Sequence, residues 1–199
     1  PKINRACELG FGQGASINIH AAANTSQWYG NDFNPSQAGY AQKLSDQILQ
    51  NIYIFDDSFS EFNKRDLPKF DFIALHGIWS WISDENRRAI VNFIDKNLSI
   101  GGVVYISYNT MPGWSTFAPV RHLISTHGQK VGGDGQRLND KIGSALEFAD
   151  KLFQSNPKFL RNNDDAAKRL AKVKDQRHEY LAHEYFNADW TPAYFNEME

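Results

Sequence analysis

Short apolar runs alternate with segments of helical periodicity through the first 110 residues. Residues 5–9 (RACEL), 28–33 (WYGNDF), 51–55 (NIYIF), 70–76 (FDFIALH) and 103–108 (VVYISY) have strand length and near-continuous apolar character, which marks strands covered on both faces. Between them, 13–23 is small and helix-compatible, and 36–49 carries Tyr40, Ala41, Leu44 and Ile48 at helical spacing. Ser83 can cap a helix whose first turn holds Asp84 and Glu85, where the helix dipole favours negative charge. That helix is expected to bury Ile90, Phe93, Ile94 and Leu98, and Gly101 and Gly102 to release the chain into the fifth strand. The alternation predicts an α/β fold with a doubly wound, mainly parallel sheet. The expected strand order is 3-2-1-4-5.

Beyond residue 115 the pattern becomes helical. Helices are expected at 115–127, 141–154 and 164–186, the last with Leu170, Val173, Arg177 and Leu181 on one stripe. A polar, Gly-rich loop spans 128–136. The pattern gives no sixth or seventh strand, only a short extended stretch at 192–195. Residues 1–127 are therefore read as a core and 128–199 as a helical extension. The edge of the fifth strand should be covered by the 164–186 helix, a neighbouring molecule or the 192–195 stretch, because open edges invite aggregation.

Composition narrows the function. Of 199 residues, 41% are hydrophobic and 22% charged, as in a globular domain. The net charge of −2, from 21 basic and 23 acidic side chains, argues against a dedicated nucleic-acid binder. No apolar run approaches the roughly 18 residues of a membrane span. There is no signal-peptide pattern, and Cys7, the one cysteine, is compatible with a reducing, cytoplasmic compartment. The chain opens Pro1-Lys2-Ile3 and enters a core strand at once, so it reads as a piece of something longer or as a chain that has lost its disordered ends.

The chemistry centres on residues 8–14, Glu-Leu-Gly-Phe-Gly-Gln-Gly. A strand ends, Gly10, Gly12 and Gly14 turn the chain, and a helix begins with free N–H groups. Asp32 ends the second strand 20 residues after Gly12, where a carboxylate can accept from ribose hydroxyls. An adenosine-containing ligand is predicted at the carboxyl ends of strands 1 and 2. Glu8, just before the glycines, is an odd neighbour for a pyrophosphate but suits a cationic amino-acid portion. With Asp32 and Asp57, it favours S-adenosylmethionine over a nicotinamide cofactor or a tight turn that binds nothing.

These strings resemble known motifs. ELGFGQG (8–14), YGNDFNP (29–35) and IYIFDDSF (52–59) are similar to the first three motifs of class I S-adenosylmethionine-dependent methyltransferases. FDFIALHGIWSWIS (70–83), GGVVYISYNTMPGW (101–114) and YLAHEYFNADWTPAYF (180–195) resemble a bacterial subgroup that carries a C-terminal methyltransferase regulatory domain. Some of that subgroup methylate lysines of rickettsial outer-membrane proteins. The resemblance implies a Rossmann-like methyltransferase sheet. It implies that Glu8, Gly10, Gly12 and Gly14 surround the methionine part of the cofactor and that Asp32 holds the ribose. Asp57 and Ser58 would read the adenine, with Asp56 the competitor for Asp57 and Phe59 packing nearby. His76 and Gly77 would lie beside the transferred methyl. Measured against that pattern, a lid before strand 1, strands 6 and 7 and most of the regulatory domain are missing, so the piece is expected to bind cofactor but transfer little methyl.

On the substrate side, Tyr108, Asn109 and Trp114 lie at or beyond the fifth strand's carboxyl end, where ligands bind in open α/β sheets. Tyr105 is read as core, and Cys7 as a small buried hydrophobe. The acceptor is read as an amine such as a protein lysine, whose ammonium must lose a proton; His76 or Tyr108 could take it. The rival readings are a cofactor-binding module without turnover and a small-molecule or RNA methyltransferase. His178 and His183 are five apart rather than the four of a zinc-protease helix, so no metal site is expected. The basic stretch 158–177 reads as a solvated helix face.

Overall fold

The computed structural model describes residues 2–46, 51–131, 135 and 137–198, with the backbone alone at 178 and 179. Ile48 and four of the nine residues of the 128–136 loop thus lie outside the described residues. Two compact units divide the chain, Pro1–Tyr108 and Asn109–Glu199.

The first unit is a five-stranded parallel sheet of order β3-β2-β1-β4-β5. Its strands are β1 (Arg5–Leu9), β2 (Gln27–Asn31), β3 (Ile52–Phe55), β4 (Phe70–Leu75) and β5 (Leu98–Ile106). Helices α1 (Ala15–Ala23) and α2 (Pro35–Ser45) cover one face; α3 (Phe59–Phe62) and α4 (Asp84–Asn97) cover the other. Alternation along β1 makes the division. Cys7 and Leu9 join Phe62, Phe70, Ile73, Leu75, Ile90 and Phe93 on the α4 side, while Ala6 faces Ile17, Trp28, Ala38 and Ala41 on the α1 side. Phe62, Phe70 and Phe93 are fully buried and their rings pack together; each such burial contributes about 1.5–3 kcal/mol. Cys7 is wholly enclosed, and burial pushes its thiol up.

Ser83 caps α4 as expected, accepting from the Asn86 N–H at 3.3 Å. Other details differ. On α2 the buried stripe is Ala38, Ala41 and Ser45, while Tyr40 and Leu44 are exposed, because the sheet contact admits only small side chains. β5 begins at Leu98, before the glycines. Leu98 pairs with Phe70 and Val103 with Phe72, so β5 carries three extra residues as a bulge around Gly101 and Gly102. Gly101 has φ +78° there. Tyr105 is not core: it is 46% exposed, on a part of the α1-side face that α1 and α2 do not reach.

In the second unit, α5 (Ala118–Lys130), α6 (Leu138–Gln154) and α9 (His178–Phe186) pack on one another, joined by α7 (Lys158–Arg161) and α8 (Asp164–Lys174). α5, which the sequence reading placed largely in the core segment, belongs to this helical body. The expected single helix at 164–186 is two helices, broken after Lys174. Its apolar stripe lapses there, since Arg177 is exposed and extended; a fresh start brings Leu181 and Tyr185 into the core with Leu170 and Val173. The 192–195 stretch forms a parallel bridge from Ala193 to Thr110, beyond the end of β5. Arg121 is buried. Its Nε donates to the Glu184 carbonyl at 3.1 Å and a terminal nitrogen to the Asn187 carbonyl at 3.0 Å, which closes the C-terminus of α9. The guanidinium lies 4.1 Å from the Trp190 ring centroid.

Candidate functional site

The carboxyl ends of β1, β2 and β3 deliver the loops that hold the predicted residues. After Leu9 the chain turns through Gly10, Gly12 and Gly14, with φ of +68°, +60° and +74°. These are left-handed values that side chains resist. The Gly10 N–H donates to the Asn31 carbonyl at 2.8 Å, fastening the loop to β2. The three glycines serve different ends. A Cβ at Gly12 would meet open space, so the loop offers bare backbone there. A Cβ at Gly14 would stand 2.3 Å from the Ala41 Cβ, so that glycine lets α1 and α2 close on each other. One at Gly10 would press on Ile78, with the Phe59 ring nearby.

Asp32 is 6% exposed. Its carboxylate accepts from the Gly12 N–H and from the Asn34 N–H, both at 2.9 Å. With its amide nitrogen turned toward Asp32, Gln37 reaches both oxygens at 3.3 and 3.1 Å. Burial raises the Asp32 pKa, and the Asn34 and Gly12 hydrogen bonds oppose that rise. A carboxylate offers about four lone-pair sites; Gly12 and Asn34 fill two, and hydroxyl donors would take the two that Gln37 reaches.

Glu8 sits in register between Gly30 of β2 and Ala74 of β4. It is 5% exposed. One carboxylate oxygen accepts from the Ser16 hydroxyl; Oε2 is buried with no hydrogen-bond partner among the described residues. Burial raises the Glu8 pKa against the Ser16 hydrogen bond, His20 and His76. Glu8 forms the polar floor of a cleft of about 420 Å³ whose walls include His20, Trp28, Phe72, His76 and Tyr105. The sequence reading missed this cleft, because it treated Tyr105 as core and gave Ser16 and His20 no part. Strand parity was the available signal: Glu8, Phe72, Ala74 and Tyr105 all point to one face.

His76 follows β4 and is exposed. Its Nδ1 is 3.3 Å from the Ser107 hydroxyl and 3.4 Å from the Tyr105 hydroxyl. Ser107 Oγ accepts from the Gly77 N–H at 2.7 Å. Beyond β3, Asp56 is exposed, whereas Asp57 is ion-paired to Arg65. Ser58 forms a capping box with Glu61 at the start of α3. Phe33, unmentioned in the sequence reading, is 74% exposed next to Asp32.

The substrate-side expectations separate. Tyr108 closes the first unit and is half-buried; Asn109 and Trp114 fall in the second. Asn109 donates to Glu184 Oε1 at 3.4 Å, and its carbonyl accepts from the Ala193 N–H at 3.0 Å. Trp114 is 8% exposed, packed against Phe117, Tyr185 and Trp190, with Arg169 over its ring. Those are the surroundings of a core residue. Among the described residues no group of three metal-ligating side chains is placed to hold an ion; the side chains of His178 and Glu179 lie outside that description. No described helix is long and apolar enough to cross a membrane.

No family model matches the chain. It is 44% identical over 194 residues to an uncharacterized protein of Synechocystis sp., covering 96% of this chain and 38% of that protein. It is 28% identical over 202 residues to an uncharacterized protein of Rickettsia prowazekii, covering 100% of this chain and 79% of that one. Among solved structures it resembles PKMT2 from Rickettsia typhi in complex with AdoHcy, with TM-score 0.74 and 26% identity over 98% of this chain and 37% of that chain. The chain thus spans well under half of the Synechocystis and PKMT2 proteins. The parallel order 3-2-1-4-5, the glycine loop after β1, the acidic end of β2 and the likeness to PKMT2 agree with one another: the chain has the fold of the class I S-adenosylmethionine-dependent methyltransferases.

Proposed function

We propose that this chain binds S-adenosylmethionine at the carboxyl ends of β1, β2 and β3 and serves methyl transfer to an amine, most simply a protein lysine side chain. The observation that carries the reading is the buried, unpartnered Glu8 oxygen beside the glycine loop. A buried carboxylate repels the pyrophosphate of a dinucleotide and welcomes an ammonium. S-adenosylmethionine, when bound, supplies a methyl group activated by a positively charged sulfur. Glu8 would face its amino-acid end, the bare backbone of Gly12 would admit close approach, and Asp32 would accept from the ribose. Asp57 and Phe59 would meet the adenine, and the exposed Phe33 ring lies next to Asp32 to cover it.

His76, and Tyr108 just beyond β5, are proposed on the acceptor side. Ser107 Oγ accepts from Gly77 and has a second lone pair, which can accept from a His76 Nδ1–H. That tautomer leaves Nε2 as an acceptor, which orients a neutral amine by taking a hydrogen bond from one of its N–H groups and leaves the amine lone pair free for the methyl. The acceptor's own proton then leaves to water. Positioning of this kind is worth up to about 7–11 kcal/mol in well-oriented reactions.

The reading is tested by calorimetry with S-adenosylhomocysteine and with NAD, followed by radiolabelled methyl transfer into a lysate and mass spectrometry of the product. Preference for the adenosyl ligand is expected, with the label, weak from this piece alone, on lysine amines. Tighter NAD binding overturns the cofactor assignment. Label in RNA or small molecules overturns the protein acceptor, and binding without any label marks a cofactor-holding module. Asp32→Asn should weaken S-adenosylhomocysteine by about 1–3 kcal/mol, the worth of hydrogen bonds to an ionised acceptor.

A further inference from the structure

Asp57 stands two residues beyond β3, and its carboxylate is taken up from the side by Arg65. Arg65 Nε donates to Oδ2 and a terminal nitrogen to Oδ1 at 2.9 Å, a two-pronged pairing that fixes direction as well as distance. The guanidinium is itself braced, lying 4.6 Å from the centroid of the Phe55 ring. Its backbone is held too. The Arg65 N–H donates to the Phe62 carbonyl at 3.2 Å, and Lys96 Nζ donates to the carbonyls of Asn63 and Arg65 at 2.7 and 3.2 Å. From the other side, Asn31 donates to the Asp57 backbone carbonyl at 3.0 Å. The carboxylate therefore has little freedom to turn. The fork occupies two of its roughly four lone-pair sites and leaves two.

We propose that Arg65 is a positioning residue that sets the Asp57 carboxylate to read the exocyclic amino group of adenine. The proposal rests on the cofactor reading above. A fixed, ionised carboxylate accepts from an amino group and repels a carbonyl oxygen at the same place, so it separates adenine from hypoxanthine by attraction and by repulsion together. The neighbouring donor is already committed, because the Ser58 N–H donates to Glu61 at 2.9 Å. The remaining acceptor sites of Asp57 are thus what the base edge meets. A carboxylate released from Arg65 can swing away from a mismatched carbonyl, so loss of Arg65 should erode the discrimination more than the binding.

The test compares S-adenosylhomocysteine with S-inosylhomocysteine by calorimetry on the 199-residue chain and on Arg65→Ala, Arg65→Lys and Asp57→Ala. The wild-type chain is expected to prefer the adenosyl ligand by about tenfold or more, the worth of one hydrogen bond to a charged group. In Arg65→Ala that ratio should drop severalfold, mainly because the inosyl ligand binds more tightly while the adenosyl affinity changes less, and Asp57→Ala should remove it. Arg65→Lys, which keeps the charge but not the fork, should also lower the ratio, and it gives the answer if Arg65→Ala does not fold. Equal weakening of both ligands in the Arg65 variants, with an unchanged ratio, overturns the proposal while the cofactor reading stands. A wild-type chain that binds neither ligand overturns the cofactor reading and the proposal with it.

Discussion

Ser16, in the first turn of α1, donates its hydroxyl to Glu8 near the end of β1 and leaves the other carboxylate oxygen buried without a partner among the described residues. Half of the charge is thus served by the protein and half is left for something else. An unpaired buried acceptor costs roughly 1–3 kcal/mol, which the fold tolerates next to its glycine loop.

Glu8→Gln should therefore raise the melting temperature of the free chain at neutral pH, since it removes a buried charge. The same change should weaken S-adenosylhomocysteine by about 1–3 kcal/mol if that oxygen meets the ligand's ammonium. Differential scanning fluorimetry with and without ligand reads both at once. A lower melting point in the free protein would show that the carboxylate is structural.

The pH dependence has a definite sign. Burial raises the pKa of both Glu8 and Asp32 above their ordinary values. Between the unfolded and folded values the native state holds more protons than the unfolded one, so stability falls as pH rises through that window. Below the unfolded value this loss is absent. Urea denaturation across the weakly acidic range should show the decline, and Glu8→Gln should flatten it.

Binding should release protons in the same window. An ammonium meets the ionised form of Glu8, so a carboxyl that is partly protonated in the free chain gives up its proton when ligand enters. Calorimetry in buffers of different ionisation enthalpy counts the protons released; uptake instead of release would place the cation elsewhere.

The glycines differ in what they tolerate. Gly14→Ala brings a Cβ to 2.3 Å from that of Ala41 at φ +74°; overpacking costs about 1–3 kcal/mol, added to roughly 1–2 kcal/mol for the left-handed backbone. Gly12→Ala has space for its Cβ and should suffer only the backbone strain of about 1–2 kcal/mol, but should impair ligand approach. Denaturation midpoints and ligand affinity should rank the two variants in opposite orders.

In the helical unit, Arg121→Met should destabilise by about 2–4 kcal/mol, because it strips buried carbonyls at the end of α9 of their donor. Desolvation lowers the Arg121 pKa to about 10, with Glu184 and Tyr185 opposing the drop. The side chain nonetheless stays charged at neutral pH, and a methionine of similar length keeps the packing while removing the donors. Chemical denaturation followed by helical signal measures the loss.

The sheet was readable because its strands are apolar on both faces, and the glycine loop because three glycines stand between a strand and a helix; the apolar pattern itself carries no strand order. Glu8 and Asp32 were readable because a carboxylate beside a glycine turn has few structural uses. Tyr105 was misplaced because strand-like sequence does not say which stretch of a sheet face lacks a covering helix. Trp114 looked like a ligand contact because it follows a strand end, yet Arg169 and Tyr185, more than fifty residues on, enclose it. The break after Lys174 was hidden since Arg177 has the length to lie along a helix stripe. The Arg65–Asp57 pairing was invisible for a related reason: two opposite charges eight residues apart across a short helix carry no periodic signature.

Asp32 is tied to the glycine loop before any ligand arrives. Its carboxylate holds the Gly12 N–H with one oxygen and the Asn34 N–H with the other, so two loops that could have been floppy share one anchor. An incoming nucleoside meets a receptor already set in shape, and little conformational entropy remains to be lost on association. Capture then becomes a matter of encounter rather than rearrangement, and the free and occupied loops should superpose closely.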